Sequence, residues 1–307
     1  MNKFRRRFVF FNIIIIGAIT IIIAALVYFG APSQIPAGRL TAIIIIMLAL
    51  IFIGSVLSSK IAMKPILSSW QKQLDFTADA SHELRTPLTV IQTNLELVMD
   101  NSDESVSSQL EWLSNIHIET LRMKKLVDDL LTLSRGDAGE KTLEYSVFSL
   151  NSIALETAAL FETAAKQKSV DIRVAANDEI QFSADISRIK QLLGILVDNA
   201  VKYMDKPGCI QIALLKKDNT VQLIVSDSGK GIAPEHLSKI FNRFYRAEKQ
   251  AADGFGLGLP IAQWIAKEHG GSIYAESIIG EGARFTACFP LRSFAGGRSD
   301  SNFRINL

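Results

Sequence analysis

Two long apolar runs near the N-terminus constrain the fold of this chain more than any other feature. Residues 9–29 carry no formal charge and have Asn12 as their most polar residue, and residues 40–57 form a second uncharged run. Each run is close to the roughly 20 apolar residues that a helix needs to cross a bilayer. The sequence therefore predicts two transmembrane helices, over 9–29 and 40–57, and places the protein in a membrane lipid bilayer.

The first run could also be the core of a cleaved signal peptide. Its apolar stretch is longer than the usual core of about 7–15 residues, and no small-residue cleavage site is clear before the second run. We therefore expect an uncleaved anchor that remains part of the protein.

Basic residues set the expected orientation. The N-terminal segment 1–8 holds one lysine and three arginines, Lys60 and Lys64 follow the second run, and the connection 30–39 holds only Arg39. Lysine and arginine collect on the cytoplasmic side of membrane proteins, so both termini are predicted to be cytoplasmic. An outer loop of about ten residues is too short to bury a core, so we expect no folded sensor domain outside the membrane.

Charge and cysteine content exclude other classes of protein. A chain of 307 residues allows about two domains, and its formal net charge at pH 7 is +2. This balance gives no reason to expect nucleic acid as a partner. Cys209 and Cys288 lie far apart and lack the spacing of metal ligands, so we interpret them as reduced thiols.

A helical hairpin is predicted over 66–135, after a juxtamembrane linker over 58–65. Its first helix is expected over about 66–99 and its second after the polar stretch 100–105, and each carries apolar residues at steps of three and four. The two stripes are Leu84, Leu88, Ile91, Leu95 and Val98, and Leu113, Ile116, Thr120, Met123, Val127 and Leu130. A lone hairpin buries little, so pairing of two copies into a four-helix bundle is expected. The alternative is a monomeric hairpin packed on the domain that follows.

One histidine stands out on the first helix, within residues 81–88, whose sequence is SHELRTPL. His82 lies two residues before Leu84, about 200° round the helix, so it faces away from the apolar stripe. An exposed histidine is usually an ordinary surface residue. Here the carboxylate of Glu83 is placed to accept from one ring nitrogen, which leaves the other free as a nucleophile.

The remainder of the chain predicts an α/β sandwich over 143–291, reached through a linker over 136–142. Helices are expected over 148–167 and 185–204, and strands over 210–215, 221–226, 273–277 and 284–290. The tail 292–307 is rich in serine, glycine and arginine and carries no functional signal.

Two polar segments of this domain have the chemistry of a nucleotide site. At the end of the second predicted helix, the amide oxygen of Asn199 is suited to Mg²⁺ and the ammonium of Lys202 to phosphate. After a strand, the Asp227 carboxylate can accept from an exocyclic amine, and Gly229 and Gly231 let the backbone come close. Taken singly, the first could be a polar helix end and the second an ordinary turn.

A third segment has glycines before a predicted helix. Backbone amides around Gly254, Gly256 and Gly258 could hold phosphate anions at the start of that helix. The segment is neither a Rossmann fingerprint nor a P-loop, since no βαβ unit surrounds it and the Gly-Lys-Ser/Thr ending is absent. Before it lie Arg243 and Arg246, which could contact phosphate in a lid over the nucleotide.

Together these segments resemble a known family. Residues 81–88 match the H box of sensor histidine kinases at all eight positions. The segments around Asn199, Asp227, Arg243 and Gly256 resemble, in order, the N, G1, F and G2 boxes of the ATP-binding domain of that family. The likeness covers about 66–290, and the short outer loop is similar to that of small intramembrane-sensing members.

The resemblance implies a fold, an activity and a location. It implies a dimerising histidine-phosphotransfer domain over 66–135 and an ATP-binding domain of the Bergerat (GHKL) type over 143–291. ATP and Mg²⁺ are the implied cofactors, and a second copy of the chain and a cognate response regulator are the implied partners. The protein is expected in the plasma membrane of a bacterium, where detection within the bilayer or through a membrane protein partner would replace an outer domain.

Residue roles follow from the same resemblance. It implies His82 as phosphoacceptor, Glu83 as its acid–base partner and Thr86 as the residue that orients water for dephosphorylation of the regulator. It further assigns Asn199 to Mg²⁺, Lys202 to phosphate, Tyr203 to the neighbourhood of the base, Asp227 to adenine, and Gly229, Gly231, Gly254, Gly256 and Gly258 to the phosphate lid.

One position departs from the family pattern. Family members commonly carry a polar residue, often asparagine, four positions before the metal-binding asparagine, whereas this chain has Ile195. The fine geometry of the metal site and the rate of the kinase are therefore open. Two alternatives remain: a related ATPase of the gyrase, Hsp90 and MutL type, which lacks such a histidine, and a sensor scaffold that acts chiefly as a phosphatase.

Overall fold

The computed structural model describes residues 37–137, 143–176, 178–247 and 254–291, and five isolated positions before residue 37. The predicted N-terminal segment 1–8, most of the apolar run 9–29 and the tail 292–307 lie outside these residues. The chain divides into two compact units, Met1–Ser81 and His82–Leu307. The second unit contains all the predicted site residues.

The first long helix, α1, is Ala37–Asp100. It ends where the polar stretch was predicted to end it, but it begins well before the predicted start at Ile66, and Pro65 lies inside it. A proline removes one backbone hydrogen bond and disfavours a helix interior, yet it does not end this one. Within the part of the chain that the structure describes, no helix is both long enough and apolar enough to span a bilayer. The predicted span over 40–57 lies within α1 and stays a prediction.

The hairpin turn is closed by a buried glutamine. Gln109 is 6% exposed, and its side-chain amide donates to the carbonyl oxygens of Asn101 at 2.5 Å and Val98 at 3.5 Å. These oxygens have lost their helical partners at the end of α1, so the glutamine acts as a cap. The second helix, α2, follows as Leu110–Asp137. The predicted linker is thus helical at its first two residues, Gly136 and Asp137.

The hairpin has two apolar faces. On α2, Leu126 and Leu133 are fully or almost fully buried and belong to the core that α2 shares with the α/β domain. The predicted stripes are divided, since Leu84 and Leu130 are partly buried against this core. Other members, Leu88, Leu95 and Val127, are 42–47% exposed in the single chain. The hairpin therefore packs on its own chain with part of its apolar surface and leaves the rest uncovered.

The α/β domain is confirmed as a sheet covered by helices. Its elements are β1 Tyr145–Ser149, α3 Leu150–Gln167, β2 Val170–Ala176, β3 Gln181–Asp185, α4 Ile186–Tyr203, β4 Gly208–Lys217, β5 Thr220–Asp227, α5 Pro234–Leu237, α6 Gly258–Glu268, β6 Ser272–Ile278 and β7 Gly282–Pro290. Five strands form one sheet in the order β2-β4-β5-β7-β6, with only the β2–β4 pair parallel. β1 and β3 pair separately and antiparallel.

Three strands were not predicted, namely β1, β2 and β3. The helix expected from Phe148 begins at Leu150, because Phe148 and Ser149 complete β1 and the Ser149 hydroxyl caps α3 by accepting from the Ser152 amide. Serine at this position satisfies an amide at the helix start, so the strand ends where the cap begins.

The core lies between the sheet and helix α4. Strand β5 alternates buried Val221, Leu223 and Val225 with less buried residues, as expected for a sheet with one covered face. Helix α4 turns a fully apolar face to that layer, formed by Ile189, Leu192, Leu193, Leu196, Val197 and Ala200. Near the C-terminal end of α4, the opposite face of the helix carries polar residues.

The start of α4 is fixed by two hydrogen bonds. The Asp185 carboxylate caps the helix by accepting from the Arg188 amide at 3.1 Å. The Asp185 amide in turn donates to Nε2 of His269, a 3% exposed residue whose Nδ1 contacts the Ile265 carbonyl oxygen at 2.8 Å. The helix that carries the candidate site is thus held at its first residue.

Candidate nucleotide site

The C-terminal end of α4 carries three predicted site residues, Asn199, Lys202 and Tyr203. The Lys202 ammonium donates to Asp198 at 2.7 Å, which keeps it on the outer face of the helix. Lys168, just after α3, donates to the carbonyl oxygens of Val201, Lys202 and Met204 at 2.9, 3.0 and 3.3 Å. A cation here satisfies carbonyls that the helix end leaves without partners and matches the helix dipole.

Lys168 was not predicted as a site residue from the sequence. Its partners lie more than 30 residues away in sequence, and no local pattern signals that a lysine will cap a distant helix. A lysine directly after a helix is ordinarily a solvated side chain.

Asp227 ends strand β5 and is held by the backbone. Its Oδ1 accepts from the amides of Gly229 at 3.0 Å and Ala283 at 3.3 Å. Burial raises the pKa of the Asp227 carboxyl, and these two hydrogen bonds act in the opposite direction. The carboxyl group is therefore fixed in direction and partly desolvated, which suits it to accept from one amine of a ligand.

The turn after Asp227 requires glycine. Gly231 has a φ of +73°, and a side chain there would collide with the carbonyl of Ile278. An added Cβ at Gly229 would lie 2.7 Å from the carbonyl oxygen of Tyr203, so this turn touches the end of α4. The Asp227 turn and Tyr203 are therefore neighbours.

The glycine segment before α6 is close to the same helix end. Gly256, with a φ of +69°, accepts from the Phe244 amide at 3.0 Å, and an added Cβ would lie 2.8 Å from the Tyr245 carbonyl oxygen. An added Cβ at Gly254 would lie 3.9 Å from the Lys202 nitrogen. The segment thus lies beside the cation that was predicted to contact phosphate.

A cavity of about 910 Å³ joins these parts. This volume is in the range of small-molecule sites. Among the residues that line it are nine of the predicted ones: Glu83, Thr86, Asn199, Lys202, Tyr203, Arg246, Gly254, Gly256 and Gly258. The hairpin supplies part of the wall, so the acceptor helix and the nucleotide segments share one cavity.

Five predicted residues do not line this cavity. His82 is exposed, and Asp227, Gly229 and Gly231 form the turn that touches the end of α4 at the Tyr203 carbonyl. Arg243 donates two hydrogen bonds to the Asp137 carboxylate, at 2.8 and 2.7 Å. Arg243 is thus paired with the end of α2 in this arrangement, and its contact with phosphate stays a prediction.

Four charged residues of α2 complete the wall and were not predicted: Glu119, Arg122, Lys125 and Asp129. Their spacing of three and four residues places them on one helix face, but that pattern is equally typical of a solvated surface. Burial raises the pKa of the Asp129 carboxyl to about 6, against the opposing effect of the Lys125 ammonium. The carboxyl loses its negative charge as the pH falls through this value, which favours an anionic ligand.

The cavity fits a divalent cation that is bound chiefly by a ligand. The described residues contain no cluster of three or more His, Cys, Asp or Glu that could hold a metal alone. Mg²⁺ typically takes one or two protein oxygens and fills its shell with phosphate oxygens and water. The amide of Asn199, which lines the cavity beside Lys202, matches that need.

Ile195 also lines the cavity. Its Cγ2 would lie 3.2 Å from a Cβ added at Gly258, so it packs against the glycine segment. The position that commonly carries an amide in the family here forms an apolar wall. Asn199 keeps its place one turn further along α4.

Comparison with known families agrees with this geometry. Residues 72–139 match the His Kinase A (phospho-acceptor) domain, and residues 184–293 match the histidine kinase-, DNA gyrase B- and HSP90-like ATPase family. The chain therefore belongs to the sensor histidine kinases. The phospho-acceptor match confirms the predicted family and disfavours a gyrase-type ATPase.

The relatives are similar over the same region. Sensor histidine kinase YkoH of Bacillus subtilis is 37% identical over 233 residues, which is 75% of this chain and 50% of that protein. The chain spans about half the length of the curated relatives it matches. Histidine kinase ThkA, solved in complex with the response regulator protein TrrA, is 28% identical with a TM-score of 0.60 over 76% of this chain and 66% of that chain. Full-length ShkA in complex with AMPPNP is 26% identical with a TM-score of 0.57 over 72% of this chain and 47% of that chain.

Proposed function

We propose that this protein is an ATP-dependent protein-histidine kinase that phosphorylates His82 and passes the phosphoryl group to an aspartate of a response regulator. The observation that carries the proposal is the shared cavity, in which the acid–base residue beside His82 meets the phosphate-binding segments. The similarity to ShkA, solved with a nucleotide analogue, and to ThkA, solved with a response regulator, supports the donor and the partner.

The nucleotide would be held at two ends. The Asp227 carboxylate is the acceptor for the adenine amine, and the turn that follows it at Gly229 lies against the backbone carbonyl of Tyr203. At the cavity end, Lys202, Arg246 and the backbone amides of the glycine segment are the donors for the phosphates. A Mg²⁺ ion held by Asn199 would neutralise phosphate charge when bound.

Phosphoryl transfer depends mainly on position and charge neutralisation. One imidazole nitrogen of His82 attacks the γ-phosphorus, and the bond from that phosphorus to the bridging oxygen of ADP breaks. The Glu83 carboxylate stabilises the charge that develops on the ring and accepts the proton of the other nitrogen, which then passes to water. Glu83 lies on the cavity wall, so it is in place on the side from which the phosphate arrives.

The reverse chemistry on the regulator is a second proposed activity. Thr86 lies four residues after His82, so both are on one side of α1, and Thr86 is exposed at the cavity. Its hydroxyl is suited to orient a water molecule that attacks an aspartyl phosphate. The alternative is a scaffold that acts chiefly as a phosphatase, and the apolar Ile195 on the cavity wall is the observation that favours it.

The first test separates acceptor from nucleotide site. His82→Ala should abolish acid-labile, alkali-stable label from γ-labelled ATP and leave ATP affinity near that of the unchanged protein, because the histidine is outside the cavity lining. Asn199→Ala is the matched variant and should lose most of the label through the metal site. Loss of ATP binding in the His82 variant would contradict the division of roles. A protein that takes no label yet dephosphorylates a regulator is the phosphatase scaffold.

The second test separates kinase from phosphatase. Glu83→Ala should slow phosphohistidine formation by about 10²–10⁴-fold, because it removes the acid–base partner. Thr86→Ala, three residues along the same helix, should leave that rate nearly unchanged and slow dephosphorylation of the regulator. Two time courses with one purified regulator measure both. If Thr86→Ala lowers autophosphorylation as much as Glu83→Ala does, Thr86 is a structural residue beside the buried Pro87.

The exposed stripes of the hairpin support a homodimer. Leu88, Leu95 and Val127 are large apolar side chains on the hairpin that a single chain leaves 42–47% exposed. A second copy that pairs through these stripes would form a four-helix bundle and remove them from water.

The apolar runs of the sequence support a location in the bacterial plasma membrane, with both termini in the cytoplasm and detection within the bilayer or through a membrane protein partner. The full chain should stay with the membrane fraction after extraction at alkaline pH, whereas a peripheral protein in the same sample should be released. Recovery of the full chain in the supernatant would contradict an integral membrane location.

A further inference from the structure

The nucleotide domain is docked on the hairpin of its own chain. The last turn of α2 provides two contacts: Asp137 pairs with Arg243 through both guanidinium nitrogens, and Gly136 lies against the indole of Trp264 on α6. Leu126 and Leu133, on the same helix, are fully or almost fully buried. The docking therefore combines a two-point ion pair with an apolar contact.

Gly136 allows this contact to be close. A Cβ at residue 136 would collide with the Trp264 ring, so a larger residue there would push α6 away from α2. Helix α6 begins at Gly258, the last of the lid glycines. The close contact between Gly136 and Trp264 therefore determines how near the glycine segment lies to the hairpin.

A second region of contact lies further up α2, at the cavity itself. The Lys125 ammonium is 3.9 Å from the Asp198 carboxylate, which also accepts from Lys202. On the neighbouring helix, Glu83, Thr86 and Pro87 line the cavity opposite α4. Both helices of the hairpin thus face the phosphate end of the nucleotide site that belongs to the same chain.

We infer that each chain phosphorylates its own histidine, so that autophosphorylation occurs in cis within a dimer. This inference rests on the proposed function. Glu83 of the same chain already lies in the cavity wall, and His82 is its immediate neighbour at the edge of that wall, about 6 Å along the helix axis from Thr86. The γ-phosphate of the bound ATP is delivered to this edge, where the His82 nitrogen forms the new bond to phosphorus and ADP leaves with the electrons of the broken one.

A reaction in trans would need a different arrangement. The hairpin of the partner would have to replace the wall formed by Glu83, Thr86 and Pro87, and the contacts of Arg243 and Trp264 with the end of α2 would have to be broken. In the described residues, the acceptor helix of the same chain already forms this part of the cavity wall.

Mixed dimers of the full chain test the inference. The first dimer combines a His82→Gln chain with an Asn199→Ala chain, each with its own affinity tag, and is purified through both tags. If the reaction occurs in cis, this dimer takes up almost no label from γ-labelled ATP, at least 20-fold less than the unchanged dimer. The reason is that neither chain has both the acceptor histidine and an intact nucleotide site. Label on the Asn199→Ala chain at a rate comparable to that of the unchanged dimer would overturn the inference.

The second dimer is the matched control and has the opposite outcome. It combines an unchanged chain with a chain that carries both substitutions. In cis the unchanged chain is labelled at the rate of one chain of the unchanged dimer, whereas in trans neither chain is labelled. An unchanged dimer without label would refute the proposed kinase function itself, and a monomer that labels itself at a rate independent of concentration supports the reaction in cis.

Discussion

The position of helix α4 is the constraint on which the rest of the site depends. One face of the helix is buried against the sheet through six apolar side chains, which fixes its rotation. Asp185 caps its start and Lys168 satisfies the carbonyls of its end, which fixes its length. With rotation and length set, Asn199, Lys202 and Tyr203 have no freedom to leave the cavity. Burial of the apolar face thus provides the free energy that fixes α4, and the fixed helix positions these three polar side chains. The polar side chains contribute little to stability themselves.

The hairpin shows how one pair of helices serves two contacts. Leu126 and Leu133 bury one side of α2 against the α/β domain of the same chain, and Leu88, Leu95 and Val127 remain exposed for a second copy. The exposed side chains are not the ones that the docking buries, so a second copy can cover them while the docked contacts remain. The ion pair between Asp137 and Arg243 is partly exposed, and such pairs contribute little stability, so it specifies the docked arrangement more than it strengthens it.

The sequence predicted those parts of the structure that have local signals. The hairpin break near Asp100, helix α4, strands β4 to β7 and the glycine turns all follow from periodicity or from turn chemistry. The early strands β1 to β3 were missed because two of them are five residues long and their pairing partners are distant. The continuity of α1 was missed because residues 58–65 were expected to form a linker between the helix over 40–57 and the hairpin. The proline in that segment weakens a helix without always ending it.

The residues of the candidate site also fall into those with a local sequence signal and those placed by distant contacts. Nine predicted residues line the cavity, since the motifs that carry them place two on α1, three on α4 and three on the glycine segment, with Arg246 shortly before that segment. Three features depend on contacts between residues more than 30 apart in sequence. They are the ion pair of Arg243 in the docked arrangement, the cap by Lys168 and the charged wall from α2. Only the tertiary structure brings such residues together.

The most direct test asks whether the acceptor helix α1 and the nucleotide helix α4 share one site. It measures hydrogen–deuterium exchange of the full chain with and without a non-hydrolysable ATP analogue and Mg²⁺. The account predicts slower exchange both in the peptide that contains Glu83 and Thr86 and in the peptide that contains Asn199 and Lys202, and loss of both effects in the Asn199→Ala protein. Slower exchange confined to the α/β domain, with the Glu83 peptide unchanged at saturating analogue, would contradict the shared cavity.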